Sequence, residues 1–172
     1  MGDAVAGALI TTAEIAPRDL AWLDELRRQH YPAERNRVPA HLTMVHALPP
    51  SAEGEARRVL ARLGSEPRPR AMIDGLIDLG GGVAFRVVSP DLDRIRRDLA
   101  EDFHGLLSAS DAGGWRPHIT IQNKVAEREA RALLGWLAAD FRTRPLAISG
   151  LGLHRYLDGP WERLATRSFR GG

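Results

Sequence analysis

A four-residue phrase, His-x-Thr-x with an apolar residue at each x, occurs twice in this chain and constrains its fold more than any other feature. Residues 41–44 read His-Leu-Thr-Met and residues 118–121 read His-Ile-Thr-Ile, with a proline just before each phrase. Residues two apart in a β-strand point to the same face. Each phrase is therefore predicted to present an imidazole and a hydroxyl on one side of a strand and two apolar side chains to the core.

The sequence around the two phrases repeats in the same order. A pattern of helix, strand, helix and hairpin runs over about residues 17–88 and again over about 89–169, and the histidines are 118 − 41 = 77 residues apart. This spacing is too long for a solenoid and fits an internal duplication. The same offset of 77 predicts that Arg86 and Arg163 occupy equivalent positions.

We therefore predict one α+β domain over residues 1–172, with two pseudo-symmetric lobes. Antiparallel sheets would flank a central cleft, and the helices would lie outside. Local signals predict a first strand over 5–12, a helix from Pro17 to about His30, and hairpins over 72–88 and 146–169.

Three further helices follow from apolar stripes and capping residues. Ser51 is the expected N-cap of one helix and Gly64 its expected C′ residue, while Ser89-Pro90 opens the next. The last is expected over 127–139, and residues 108–114 are expected to form a flexible loop.

Composition narrows the class of protein. The chain has no cysteine, which excludes disulfides, thiolate chemistry and Cys-ligated metal centres. Lys124 is the single lysine among 24 basic residues, and the formal charge is only +2, which does not indicate a protein that coats nucleic acid. No stretch approaches the roughly 20 apolar residues of a membrane span, so we expect a cytoplasmic monomer without a membrane partner.

The paired phrases and their context resemble the 2H phosphoesterase superfamily, and in detail its bacterial 2′-5′ RNA ligase (LigT-like) branch. The segments similar to that branch are Arg-Pro-His-Ile-Thr-Ile-Gln-Asn-Lys-Val over 116–125 and Gly-Leu-Gly-Leu-His-Arg-Tyr-Leu-Asp-Gly-Pro-Trp over 150–161. The resemblance implies hydrolysis of 2′,3′-cyclic or 2′-5′ phosphodiesters without metal or cofactor, and in some members the reverse joining of RNA ends. Many relatives continue the second phrase with Ala-Arg, where this chain has Gln-Asn-Lys at 122–124, a difference that bears on the substrate.

The same resemblance implies roles for four residues. His118 would be the general base and His41 the general acid, and the Thr43 and Thr120 hydroxyls would donate to phosphate oxygens. A donor of this kind is worth about 2–4 kcal/mol in a transition state. The partner would be an RNA end or a small nucleotide, and the residues leave open a tRNA half, a cyclic nucleotide, a 2′-5′ oligonucleotide or an ADP-ribose cyclic phosphate.

Further substrate contacts are predicted from strand parity and side-chain chemistry. Gln122 and Lys124 share the parity of His118, and Arg155 has the charge to reach a phosphate. Tyr156 or Trp161 has the ring to stack on a nucleobase.

The other histidines near the two phrases are predicted to have structural roles, and two alternative functions stay open. His46 has the opposite parity to His41, which predicts packing or exposure. For His154 a structural role is favoured, and a position lining the cleft is the alternative. A zinc site built from His41, His46 and His118, and hence a metallohydrolase, lacks a further ligand at a known spacing. A second alternative is a non-catalytic RNA-binding module on the same fold.

Overall fold

The computed structural model describes residues 5–171, so the ends of the predicted domain, 1–4 and 172, lie outside the described residues. The strands are β1 Leu9–Ile15, β2 Leu42–Leu48, β3 Arg70–Asp78, β4 Val83–Val88, β5 His118–Gln122, β6 Arg144–Tyr156 and β7 Trp161–Ser168. The helices are α1 Pro17–His30, α2 Glu53–Gly64, α3 Pro90–Asp102, α4 Ala109–Ala112 and α5 Glu127–Ala139. Within residues 5–171, none of these helices combines the length and apolarity that a bilayer span needs.

The strands form two antiparallel sheets that share the long strand β6. The strand order is β2-β1-β6-β3-β4-β5, with β7 also paired to β6. Residues 144–147 of β6 pair with β3, whereas residues 148–156 pair with β1 and β7. This gives a first sheet, β2-β1-β6-β7, and a second sheet, β5-β4-β3-β6. The α+β architecture with antiparallel sheets predicted from the sequence is confirmed.

The two sequence repeats are interleaved between the sheets. Strand β2 comes from the first repeat but lies in the sheet of the second hairpin, β6–β7, and β5 lies with the first hairpin, β3–β4. Arg86 and Arg163, predicted to be equivalent, both lie in the second strand of a hairpin, opposite Gly75 and His154 respectively. Their other neighbours differ, because β4 also pairs with β5, where Arg86 lies opposite His118, whereas among the described strands β7 pairs with β6 alone.

Several helix ends differ from the sequence prediction for local reasons. Ser51 lies in a 3₁₀ turn, Pro50–Ala52, and α2 begins after it without a side-chain cap. Gly64 is the last residue of α2 rather than a left-handed C′ residue, and a Cβ there would lie 2.8 Å from the Cβ of Arg167. Ser89 caps α3 as predicted, by accepting from the N–H of Leu92 at 3.0 Å.

Two other boundaries were predicted inaccurately. The first strand begins at Leu9, and Val5 is exposed. The segment predicted as a flexible loop contains α4, whose N-cap Ser108 accepts from the N–H of Asp111 at 3.2 Å.

The helices bury their predicted apolar stripes against the sheets. The buried helical side chains that belong to one continuous core cluster are Leu23, Ala56, Val59, Leu60, Leu63, Leu92, Ile95, Leu99 and Leu133. This core lies beneath both His-x-Thr strands, which fixes the face that each strand turns to solvent.

Two buried arginines hold the edge strands β2 and β5. Arg27 on α1 is 3% exposed, and its Nη1 donates to the carbonyl of Thr120 in β5 at 2.8 Å. Its Nε also donates to the carbonyl of Val38 at 3.1 Å. Arg96 on α3 is 6% exposed, and its Nε donates to the carbonyl of Met44 in β2 at 2.6 Å. Each arginine thus comes from the helix of one repeat and holds the His-x-Thr strand of the other.

We expect Arg27→Met to destabilise the protein, because the change keeps most of the apolar stem but leaves the carbonyls of Thr120 and Val38 without a donor. An orphaned buried acceptor costs about 1–3 kcal/mol. Urea unfolding measures the loss, and Arg28→Met on the exposed face of α1 is the matched control, with an expected loss below about 1 kcal/mol. Equal losses for the two variants would contradict a holding role for Arg27.

Candidate functional site

The two His-x-Thr phrases have the alternation predicted for them. In β2 and the residue before it, His41 and Thr43 are half-buried, whereas Leu42 and Met44 are fully buried. The same alternation holds over residues 118–121 in β5. Each strand therefore turns its imidazole and hydroxyl to the surface side and its apolar pair to the core.

Both imidazoles are fixed by the same kind of hydrogen bond. The Nδ1 of His41 lies 2.9 Å from the carbonyl oxygen of Pro39, and the Nδ1 of His118 lies 2.8 Å from that of Arg116. A carbonyl oxygen only accepts, so each Nδ1 carries the proton. In both rings Nε2 is left to accept or donate a proton outside the backbone.

The fold brings the two strands to one cleft. Strands β2 and β5 contact each other although they are the end strands of the sheet order. Just before β5, the Trp115 Nε1–H donates to the carbonyl of Thr43 at 3.0 Å, which ties the second phrase to the first. Thr43 and His118 line the same cavity, of about 460 Å³, named here the His118 cavity.

A second cavity, of about 240 Å³, is lined by His41 and is named here the His41 cavity. His154 and Trp161 also line it. The Trp161 ring centroid lies 4.6 Å from that of His41 and 5.4 Å from that of His154, so the indole packs against both imidazoles.

The surroundings of His41 keep it neutral at neutral pH. Several causes together lower the pKa of His41 to about 4. Burial is the largest of them, and the charges of Arg27, His118 and His154 act in the same direction against the opposing effect of the Pro39 carbonyl. His41 is therefore a proton acceptor in the unliganded protein.

His154 lines the His41 cavity, although the sequence favoured a structural role for it. Its Nε2 lies 3.0 Å from the Thr12 hydroxyl, and burial followed by the charge of Arg163 lowers the pKa of His154 to about 4. A Cβ on Gly152 would lie 2.8 Å from that Nε2 and closer still to Glu14 Oε1, so a larger residue here would displace these side chains. Two glycines at alternate positions just before His154 were the available signal, since glycine inside a strand marks close approach.

A β-bulge overturns the parity argument for Gln122. Ala84 pairs with Thr120 while Val83 pairs with Gln122, so β5 has an extra residue, Ile121, at this point. A bulge inverts the alternation beyond it. Gln122 is consequently buried, at 3% exposure, and does not share the face of His118. Lys124 lies after the strand, exposed and with φ at +64°.

The equivalent bulge in β2 overturns the parity argument for His46. Thr12 pairs with Thr43 while Thr11 pairs with Val45, so Met44 is the extra residue. Met44 and Val45 are both buried, and His46 returns to the half-buried side of Thr43. His46 lines the His118 cavity, contrary to the sequence prediction.

The other two predicted substrate contacts lie away from the cleft. Arg155 forms ion pairs with Glu53 on α2 and, at 3.7 Å, with Glu162. Tyr156 pairs with Trp161 at the end of the second hairpin. Neither Arg155 nor Tyr156 lines the His41 cavity or the His118 cavity.

A larger cavity, of about 920 Å³, lies elsewhere, between α1, α5 and the second sheet. Trp22, Phe85 and Trp136 line it. Phe85 is the register partner of Ile119, whose side chain points away from His118, so this cavity opens on the opposite face of the sheet. We place the candidate site in the two smaller cavities because they contain the paired imidazoles. Among residues 5–171, no group of three His, Cys, Asp or Glu side chains is placed to hold a metal ion.

Comparison with known proteins gives the same fold over almost the whole chain. The protein TT0787 of Thermus thermophilus superimposes with a TM-score of 0.63 at 20% identity, covering 95% of this chain and 98% of that one. Escherichia coli LigT in complex with 3′-AMP gives 0.64 at 14% identity, covering 96% and 99%. LigT in complex with NADP⁺ gives 0.60 at 14% identity, covering 96% and 99%. No curated protein sequence matches this chain.

The family model described as the 2′-5′ RNA ligase superfamily matches residues 15–160. This range includes both His-x-Thr phrases, the two bulged strands and the first part of the second hairpin. The chain belongs to the 2′-5′ RNA ligase superfamily, and this confirms the family resemblance inferred from the two repeated phrases.

Proposed function

We propose that this protein hydrolyses 2′,3′-cyclic phosphodiesters of RNA ends or small nucleotides, with one histidine as general base and another as general acid. Related 2′-5′ phosphodiesters would be hydrolysed in the same way, and the reverse reaction would join RNA ends. Membership of the superfamily supports phosphodiesterase-type chemistry. The observation that carries the finer proposal is the matched pair of imidazoles, each with Nδ1 donating to a carbonyl and Nε2 left free. LigT has been crystallised with 3′-AMP, ATP and NADP⁺, which supports a nucleotide ligand.

In the proposed hydrolysis, His41 is the base and His118 the acid. The His41 Nε2 takes a proton from water, the water oxygen bonds to phosphorus, and the P–O3′ bond breaks. The His118 Nε2–H gives its proton to O3′, which leaves a 2′-phosphate and a neutral His118. The family resemblance implied the reverse roles, and the assignment proposed here rests on the lowered pKa of His41 in the unliganded protein, at about 4.

Four residues from the two phrases make up the proposed catalytic set: His41, Thr43, His118 and Thr120. The two threonine hydroxyls donate to the non-bridging phosphate oxygens as negative charge develops on them. Arg27 adds a buried positive charge below this site, through its bond to the Thr120 carbonyl. The roles of Gln122, Lys124, Arg155 and Tyr156 in substrate binding remain predictions, since none of the four lines the two cavities.

We expect His41→Ala and His118→Ala each to lower kcat/KM for adenosine 2′,3′-cyclic monophosphate at least a hundredfold, because general acid–base catalysis contributes about 10²–10⁴-fold. Release of 2′-AMP measures the rate. His104→Ala, an exposed histidine beyond the end of α3, is the control and should retain full activity. EDTA should have no effect on the wild type.

The alternative of a non-catalytic RNA-binding module gives the opposite result in that assay. Wild-type protein inert on cyclic and 2′-5′ substrates, yet with RNA affinity that survives both alanine changes, would establish binding without chemistry. Such binding would weaken steeply with salt, because phosphate contacts release counterions.

The pH dependence of kcat/KM tests the direction of proton transfer. If His41 is the base, activity persists at pH 7 and falls only as His41 is protonated, near its pKa of about 4. We expect Trp161→Ala to move this acidic limb to higher pH, because water admitted to the cleft stabilises the imidazolium and raises the pKa of His41. Loss of activity with rising pH through about 4 would instead make His41 the acid.

A further inference from the structure

We propose that His46 binds a second phosphate group of the substrate, next to the phosphate that reacts. This inference rests on the proposed function and extends it to a substrate class. The preferred substrate would be a 3′-terminal nucleotide that carries a phosphate on its 5′-oxygen in addition to the 2′,3′-cyclic phosphate. Within an RNA chain, this 5′-phosphate is the one that links the terminal nucleotide to the preceding one.

The bulge at Met44 brings His46 to the reacting side of β2. Without the extra residue, His46 would point into the core with Leu42. With it, His46 lies on the side of Thr43, and both line the His118 cavity together with His118. The His46 side chain is 42% exposed, so a ligand in that cavity can reach the ring.

Asp111 fixes how the His46 ring is held. One carboxylate oxygen lies 3.0 Å from the ring Nδ1, and the same carboxylate accepts the backbone N–H groups of His46 at 2.9 Å and Ala47 at 3.1 Å. The Ser108 hydroxyl donates to it as well, at 3.1 Å. Its oxygens are therefore fully used within the protein.

The charge state of Asp111 settles the tautomer of His46. Burial by itself would raise the pKa of Asp111, but the hydrogen bonds from His46 and Ala47 outweigh it and hold that pKa below its ordinary value. An ionised carboxylate only accepts, so Nδ1 carries the proton and Nε2 is the ring atom available to a ligand. A carboxylate and a histidine arranged in this way orient Nε2 and compensate the charge of a doubly protonated ring.

The charged groups around the cavity favour an anion. Arg116 and His118 line the cavity beside His46, and its one carboxylate, Asp111, is 1% exposed and saturated by donors. Arg96 lies behind it, with Nη2 donating to the Asp111 carbonyl at 2.6 Å. When Nε2 of His46 carries a second proton, a phosphate oxygen that accepts from it gains a charge-assisted hydrogen bond. The cavity, at about 460 Å³, is also the larger of the two that flank the paired imidazoles.

Two nucleotides that differ by one phosphate test this assignment without turnover. Calorimetry with 2′-AMP and with adenosine 2′,5′-bisphosphate measures how much the 5′-phosphate adds to affinity. We expect the bisphosphate to bind wild-type protein at least tenfold more tightly, and we expect His46→Ala to abolish most of that ratio. His104→Ala is the matched control and should keep the ratio.

A second variant separates the charge of His46 from its size. His46→Gln retains a side chain of similar length with a neutral donor, so the ratio should fall to an intermediate value. Far-ultraviolet circular dichroism checks that both variants are folded. The inference is overturned if wild-type protein shows no gain from the 5′-phosphate, if the gain survives in His46→Ala, or if neither nucleotide binds.

Hydrolysis assays keep this result distinct from the proposed function. A His46-dependent gain in binding together with no hydrolysis of any cyclic substrate would retain the second phosphate site and remove the enzyme. Hydrolysis of adenosine 2′,3′-cyclic monophosphate with no His46-dependent gain would retain the enzyme and remove the second phosphate site.

Discussion

The cleft of this protein depends on two buried guanidinium groups that cross between the sequence repeats. Edge strands expose a row of backbone groups with no neighbouring strand to satisfy them. Here the side chains of Arg27 and Arg96 supply the missing donors, to Thr120 in β5 and to Met44 in β2. Each arginine belongs to the helix of the opposite repeat, so each His-x-Thr strand is held in part by the other repeat. These bonds add to the strand pairing through β6 that already joins the two repeats.

The same arrangement sets the charge of the cleft. The direct hydrogen-bond partners of Arg27 are neutral, the side-chain oxygen of Asn36 and two carbonyls, and Tyr31 packs on it at 4.2 Å. Its positive charge therefore reaches the cleft, where it contributes to the lowered pKa of His41. A phosphate entering the cleft meets a fixed positive potential and a neutral imidazole. Structural support and preparation for an anionic ligand thus come from one side chain.

A bulge one residue after each threonine gives the two strands their chemical difference. In β2 the bulge brings a histidine back to the open side, and in β5 it turns Gln122 inward. The two halves are therefore symmetric in backbone and asymmetric in side chains. One half presents a third imidazole held by a buried carboxylate, so different side chains line the two ends of the cleft.

The sequence by itself determined the fold class, the core and the faces of β2 and β5 that carry the paired histidines and threonines. Strict alternation over 41–44 and 118–121, with a repeat of 77 residues, leaves few ways to bury the apolar side chains. Tertiary structure decided the positions of His46, Gln122 and His154. A bulge reverses parity without any mark in composition, and its location depends on which strand pairs alongside. His154 joins the cleft because β1 and β6 pair across more than 140 residues of sequence. The alternating glycines before it indicate a close approach but not which strand makes it.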